Sequence, residues 1–353
     1  MTARTVLAER LSDLVADLAQ GLHPDLVPPA RLTQTLHTAE HFPRDVSGFV
    51  GMECRLDQDT APVDFMFCVG KAPHERAALA HLADQTYRAA DPPRPEWGRL
   101  ADFATAWTDP AGALYEHIRD VWLEFDLAPA DAACPIPPPP NVFLDIAPGT
   151  ARSGAATAPL DEATALLTGT TPDRADRAFL AHCLRSTPPT ASGVVLGVLL
   201  PRRADHRRLC VQGLTDRQLL DYLDATGWPG RHRDLLPVLQ PMARTVDCLT
   251  LDLDVTAHAQ DRVGIEYMFR SRLRPGTPPP WEQALNRLTA LGLCRPQAAA
   301  ALRRFNAAHP APSAPPDEAH TRTWRRLNHL KVVHTPDRPP EAKCYLFARR
   351  TKG

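Results

Sequence analysis

The chain has 353 residues, 44% hydrophobic and 23% charged, and its 40 Lys and Arg against 41 Asp and Glu leave a net charge of -1. Such a balance speaks against a nucleic-acid-binding surface or a basic membrane-docking face, and the length suffices to bury a sizeable core. No apolar run approaches the ~20 residues of a membrane span, and Glu9, Asp13 and Asp17 interrupt the first apolar stretch, unlike a signal peptide. Eight cysteines are scattered singly with no C-x-x-C, which predicts reduced thiols in a cytoplasmic protein. The 37 prolines cluster at Pro135 to Pro140, Pro278 to Pro280 and Pro310 to Pro316 and predict stiff connections.

In chain order, residues 4–20 space Val6, Leu7, Leu11, Leu14, Val15 and Leu18 at helical intervals, and a second helix is predicted over 32–42. At 49–70, Val50, Met52, Cys54 and Leu56 alternate with Gly51, Glu53, Arg55 and Asp57, and a polar turn leads to a second apolar run, which predicts a β-hairpin. Helices over 74–89 and 97–107 lead to a second hairpin at 121–146, its strands joined by a proline-rich link. Helices starting at Asp161 and Asp173 lead to a third hairpin at 194–214, and Thr215 with Gln218 forms a capping box for the next helix, ending near Gly227. After a helix from about Asp234 comes the fourth hairpin, 248–269; helices 281–293 and 296–306 precede the fifth, 329–349.

Five hairpins, each separated from the next by about two helices, predict an α+β fold: a ten-stranded antiparallel β-barrel surrounded by helices, as one domain over 1–353 with the helices of 4–42 packed outside. The alternative is two open α+β sheets in separate domains. A ten-stranded barrel leaves a ligand-sized lumen. With helices outside, the apolar side of each strand faces them. The mixed side faces inward: Glu53, Arg55 and Asp57; Trp122, Glu124, Asp126, Asn141, Phe143 and Asp145; Arg208, Cys210 and Gln212; Thr250, Asp252, Asp254, Glu266, Met268 and Arg270; Lys331, Lys343, Tyr345 and Phe347.

His37, Glu40 and His41 match the H-x-x-E-H pattern, but no companion motif supplies a third ligand, so a solvated helix face is expected and no metal site is assigned. There is no Walker loop, G-x-G-x-x-G, G-x-S-x-G or D-D-x-x-D. Arg202, Arg203 and Arg207, around the third hairpin turn, read as surface charge.

This order of elements resembles the ABBA, or PT-barrel, aromatic prenyltransferases, over most of the chain and without a diagnostic motif. The resemblance implies transfer of a prenyl group from an allylic diphosphate, dimethylallyl to farnesyl, to an aromatic small molecule or peptide side chain. In that family lumenal Arg and Lys bind the diphosphate, aromatics shield the allyl cation, and a carboxylate holds the acceptor. Here Lys343 and Tyr345 look like the family's Lys-x-Tyr pairs. Arg55, Arg208 and Lys331 complete the implied anion site, with Trp122, Phe143 and Phe347 as shield, and Glu124 or Glu53 on the acceptor. Glu53, Glu124 and Tyr345 are thus the implied catalytic set, in a monomer that needs no cofactor, with Mg²⁺ optional. The chain departs from the family in having a single Lys-x-Tyr pair and a surplus of inward carboxylates, which repel a diphosphate unless they hold Mg²⁺ or lie elsewhere in the barrel. Two other readings remain open: a non-catalytic ligand- or peptide-binding accessory barrel, and another enzyme using an acidic, metal-binding lumen.

Overall fold

The computed structural model describes residues 10–58, 62–128, 134–202, 206–243, 246–269, 279–308 and 322–351. Ten strands form five hairpins: β1 (Phe49–Arg55) with β2 (Val63–Val69), β3 (Ile118–Phe125) with β4 (Asn141–Ile146), β5 (Gly193–Val198) with β6 (Arg207–Leu214), β7 (Cys248–Val255) with β8 (Ala259–Met268), and β9 (Arg322–His334) with β10 (Glu341–Thr351). Every strand pairs antiparallel with its sequence neighbour, and β1 pairs with β10, so the sheet closes into a barrel. The hairpin turns gather at one end of the barrel and the helical connections at the other.

Twelve helices accompany them among the described residues. α1 (Leu11–Ala19) and α2 (Pro29–Glu40) precede β1; α3 (Pro73–Ala89), α4 (Pro95–Thr108) and the short α5 (Ala113–His117) lie between β2 and β3. α6 (Pro148–Ser153), α7 (Thr157–Thr168) and α8 (Arg174–Arg185) precede β5; α9 (Asp216–Ala225) and α10 (His232–Ala243) precede β7; α11 (Pro280–Ala290) and α12 (Pro296–Ala308) follow β8. The Thr215 and Gln218 capping box opens α9 as expected. The expected helix start at 4–9, Pro310 to Pro316, Arg203 and Arg270 lie outside the described residues.

The core sits between barrel and helices, where period-two strands and helical stripes present their apolar faces to each other. Val50, Met52 and Cys54 on β1, Phe65 and Phe67 on β2, Leu251 and Leu253 on β7, and Leu330 and Val332 on β9 are buried there. Phe42, Phe65, Phe67 and Phe125 pack as one aromatic group under Trp97 of α4. The prolines of the β3–β4 link tie down the same wall, since Trp97 Nε1 and Arg94 both donate to the Pro137 carbonyl.

Two expectations change. β9 begins seven residues before the predicted 329, because Arg325, Arg326, Leu327 and Asn328 break the apolar-polar alternation. The register skips there: Tyr345 pairs with His329 and Leu346 with Leu327, leaving Asn328 as a bulge. Arg207 is not surface charge, whereas Arg202 is exposed as expected. Arg202 forms a two-pronged ion pair with Asp126, and the largely buried Arg207 donates to the Asp176 carbonyl.

Candidate functional site in the barrel lumen

The inward faces enclose a lumen of ≈ 490 Å³. At the helix-connected end it meets an outer depression of ≈ 900 Å³ that shares Phe49, Asp120 and Trp122 with it. Space comes partly from glycine. A Cβ on Gly197 of β5 would lie 2.6 Å from Phe143 Cε1, and one on Gly264 of β8 would lie 2.9 Å from Lys331 Cε.

Strand register sorts the inward-facing side chains into rows, because directly opposed residues share a face. One row runs Arg55, Lys343, Lys331, Glu266 and Thr250 across β1, β10, β9, β8 and β7. Three of the four expected diphosphate ligands are therefore neighbours. A second row is Asp64, Glu53, Tyr345, His329 and Met268. The fourth expected ligand, Arg208, stands apart: its row is Trp122, Phe143, Gly197, Arg208 and Asp254.

At the mouth the rings gather. Phe49 stacks on Phe347 at 5.2 Å and meets Trp122 edge-on at 5.0 Å, and the Arg326 guanidinium lies 5.2 Å from the Phe347 ring. The expected shield residues Trp122, Phe143 and Phe347 all line the lumen, and Phe49 joins them.

Deeper in, carboxylates already hold the cations. Lys343 donates to Glu53 at 2.6 Å, Tyr345 donates its hydroxyl to the same carboxylate, and Arg55 lies 3.6 Å from it and 3.2 Å from Asp64. Lys331 pairs with Asp252 and lies 3.3 Å from Glu266. Toward the turns, Arg208 grips Asp254 at 2.7 and 3.2 Å, with Arg262 on the same carboxylate. Among the described lumenal cations, Arg326 has no carboxylate partner. Asp57, expected to face inward, lies beyond the end of β1.

Charge regulation follows from these contacts. Burial pushes Glu53 up, but Lys343, Arg55 and Lys331 outweigh it and hold the carboxyl well below its usual range. Burial, then Glu53, pushes Asp64 up to about 8 against the pull of Arg55. Burial, then Asp252, pushes Glu266 up to about 7 against Lys331. Glu124 is raised by burial, then by Glu53 and Asp126. Burial, then Lys331, lowers His329 to about 3; its ring stacks on Tyr345 at 4.0 Å.

Asp64, Met66 and Cys68 escaped the sequence reading because β2 looks apolar throughout, although parity with Glu53 across the hairpin marks them as inward. His329 shares the parity of the inward Lys331 and escaped because it stands at the first position of the predicted strand, while Arg326 escaped because the Asn328 bulge changes its parity. Among the described residues no group of three or more His, Cys, Asp or Glu is placed to hold a metal ion, and no helix is long and apolar enough to cross a membrane.

No family model matches the chain, and no curated protein matches its sequence. Solved structures do. The prenyltransferase PriB, in ternary complex with L-tryptophan and dimethylallyl thiolodiphosphate, is 14% identical, with 94% of this chain and 96% of PriB covered at a TM-score of 0.52. The 5-dimethylallyl tryptophan synthase from Streptomyces coelicolor, in complex with DMASPP and Trp, is 14% identical over 96% of this chain and 95% of its own, TM-score 0.50. A 6-dimethylallyl tryptophan synthase is 11% identical over 95% and 94%, TM-score 0.50. With its closed ten-stranded antiparallel barrel ringed by helices, and with these likenesses running nearly end to end, the chain has the ABBA, or PT-barrel, fold.

Proposed function

We propose that the protein is an aromatic prenyltransferase that moves an allylic group from a prenyl diphosphate to an aromatic small molecule or peptide side chain. The observation that carries this reading is the row Arg55, Lys343, Lys331, of which Lys343 and Lys331 line a lumen whose mouth holds Phe49, Trp122 and Phe347, with Arg55 beside Lys343 outside that lining. Ionising the allylic C–O bond requires fixed cations at the diphosphate, and the resulting cation requires π faces and exclusion of water. Glu124 holds the acceptor in this reading. Glu53, 3% exposed and occupied by Lys343, Tyr345 and Arg55, has no free edge for that task and instead fixes the Lys343 ammonium and the Tyr345 ring. Three neighbours of the same fold carry prenyltransferase or dimethylallyl tryptophan synthase names, which supports the reading without choosing the acceptor. The chain supplies the cations itself, and Mg²⁺ remains an optional counter-charge.

One observation favours a second reading, a binding barrel without turnover: Arg55, Lys331, Lys343 and Arg208 already hold carboxylates. Thermal unfolding with dimethylallyl, geranyl and farnesyl thiolodiphosphates, each with Mg²⁺ and with EDTA, separates the two. A ligand at ~100 times its Kd adds about 2.7 kcal/mol of stability. The transferase reading expects a shift selective for one chain length; no shift with any of the three leaves the binding barrel.

A further inference from the structure

Building on the prenyl-transfer reading, we propose that Glu266 is the acid–base residue of the reaction, protonating the departing diphosphate and then removing the proton from the alkylated ring. Glu266 is the next side chain after Lys331 in the row of three cations, so a diphosphate seated on that row abuts it. A diphosphate also draws Arg55, Lys343 and Lys331 away from Glu53, Asp64, Asp252 and Glu266. A buried carboxylate deprived of its cation cannot stay ionised and takes up a proton. Exposure decides which of the four faces the donor: the Glu266 side chain is 16% exposed, against 1% for Asp252 and 3% each for Glu53 and Asp64. Its surroundings are Asp252 from β7, Cys210 from β6, His329 and Lys331 from β9, Tyr345 from β10 and Glu53 from β1. Their balance raises its carboxyl to about 7, so part of it is already protonated at neutrality, and an added anion raises that share.

The opposite wall completes the geometry. Glu124 is on β3, five strands from β8 in either direction round the ring, so an acceptor held by Glu124 spans the lumen toward Glu266. As the allylic C–O bond breaks, its electron pair passes to the diphosphate, and Glu266 gives its proton to a diphosphate oxygen. A π pair of the acceptor ring forms the new C–C bond to the allyl cation. The arenium then loses its ring proton to the Glu266 carboxylate, the C–H pair restores aromaticity, and Glu266 ends neutral as it began. His329 Nε2, 3.6 Å from Glu266 Oε1, and Lys331 are positioning residues that fix the carboxyl.

The test compares the full chain with Glu266→Gln and Glu266→Asp. Readouts are diphosphate release from dimethylallyl diphosphate with a panel of indoles and phenols, and product formation from ring-deuterated indoles. The Gln variant is expected to keep its cooperative unfolding and its shift with dimethylallyl thiolodiphosphate, to lose ~100-fold or more in turnover, and to show a primary ring-deuterium isotope effect absent from the wild type. The Asp variant recovers part of the rate. Wild-type activity falls as alkaline pH ionises Glu266, and that limb disappears in the Gln variant. Equal rates and equal pH profiles in wild type and the Gln variant overturn the assignment and leave prenyl transfer standing. No diphosphate release from the wild type with any acceptor overturns both.

Discussion

Glu53 is the residue on which the inner network turns, since one carboxylate receives Lys343, Tyr345 and, at 3.6 Å, Arg55. Breaking such a buried pair from one side strands the other charge, which costs about 3–5 kcal/mol, whereas removing both partners costs much less. Urea unfolding of Lys343→Met is expected to show a loss of that size, and adding Glu53→Gln to recover most of it. A Lys343→Met loss no larger than that of the double variant would mean that the two groups do not depend on each other. The same network makes a substitution at Lys343 a poor probe of catalysis on its own, because stability and turnover move together. Tyr345→Phe removes only the hydroxyl and keeps the ring, so it separates the two.

At the scale of the elements, the bulge in β9 sets which side chains see the lumen. Asn328 is the extra residue that lets Arg326 and His329 both face inward while Leu327 and Leu330 face the helices. Deleting one residue from a strand sends every side chain beyond it to the opposite face. Removing Asn328 is the exception: as the extra residue it leaves Arg326, Leu327, His329 and Leu330 alternating on their present faces, so the deletion and Asn328→Ala are both expected to fold with stability within about 1 kcal/mol of wild type, whereas an alanine inserted between Leu330 and Lys331 is expected to give insoluble or molten protein. Circular dichroism and urea titration of the three variants check this; an insoluble deletion or a well-folded insertion would overturn it. The bulge also marks where the sequence stops being legible. Period two in 49–55, 248–255 and 341–351 reveals five hairpins and the polarity of their inner faces, and so the barrel. It fails at 322–328, where adjacent arginines and one unpaired residue disguise the strand, and at 63–69, where a nearly all-apolar strand hides Asp64. Charge pairing was illegible altogether. Sequence places Arg55, Arg208, Lys331 and Lys343 on inward faces, but which carboxylate each one meets depends on register across strands up to 290 positions apart, as for Lys343 and Glu53.

For the molecule as a whole, the buried carboxylates act on stability in two directions. Asp64 rises from an ordinary 3.8 to about 8 and Glu266 from 4.5 to about 7, so between those limits the folded chain binds more protons than the unfolded one. Stability contributed by these two falls as pH rises through that window. Glu53, Asp126, Asp252 and Asp254 are held low, and their contribution is lost as pH falls into and below the ordinary carboxylate range. Melting temperature is expected to decline from pH ~5.5 toward pH 9, and Asp64→Asn with Glu266→Gln to flatten the decline. A slope unchanged in that double variant would place the titration elsewhere.

Closure of the ring also bears on how the protein is made. The first cation of the central row, Arg55, is on β1, and the second, Lys343, is on β10. On the ribosome β1 emerges early and must wait for almost the whole chain before its second edge finds a partner. Through that interval its unpaired backbone is an invitation to neighbouring nascent chains. The site therefore has no partial form. A chain arrested before β10 carries most of the aromatic mouth and none of the assembled cation row, and β10 brings the pocket and the protection of the edge together.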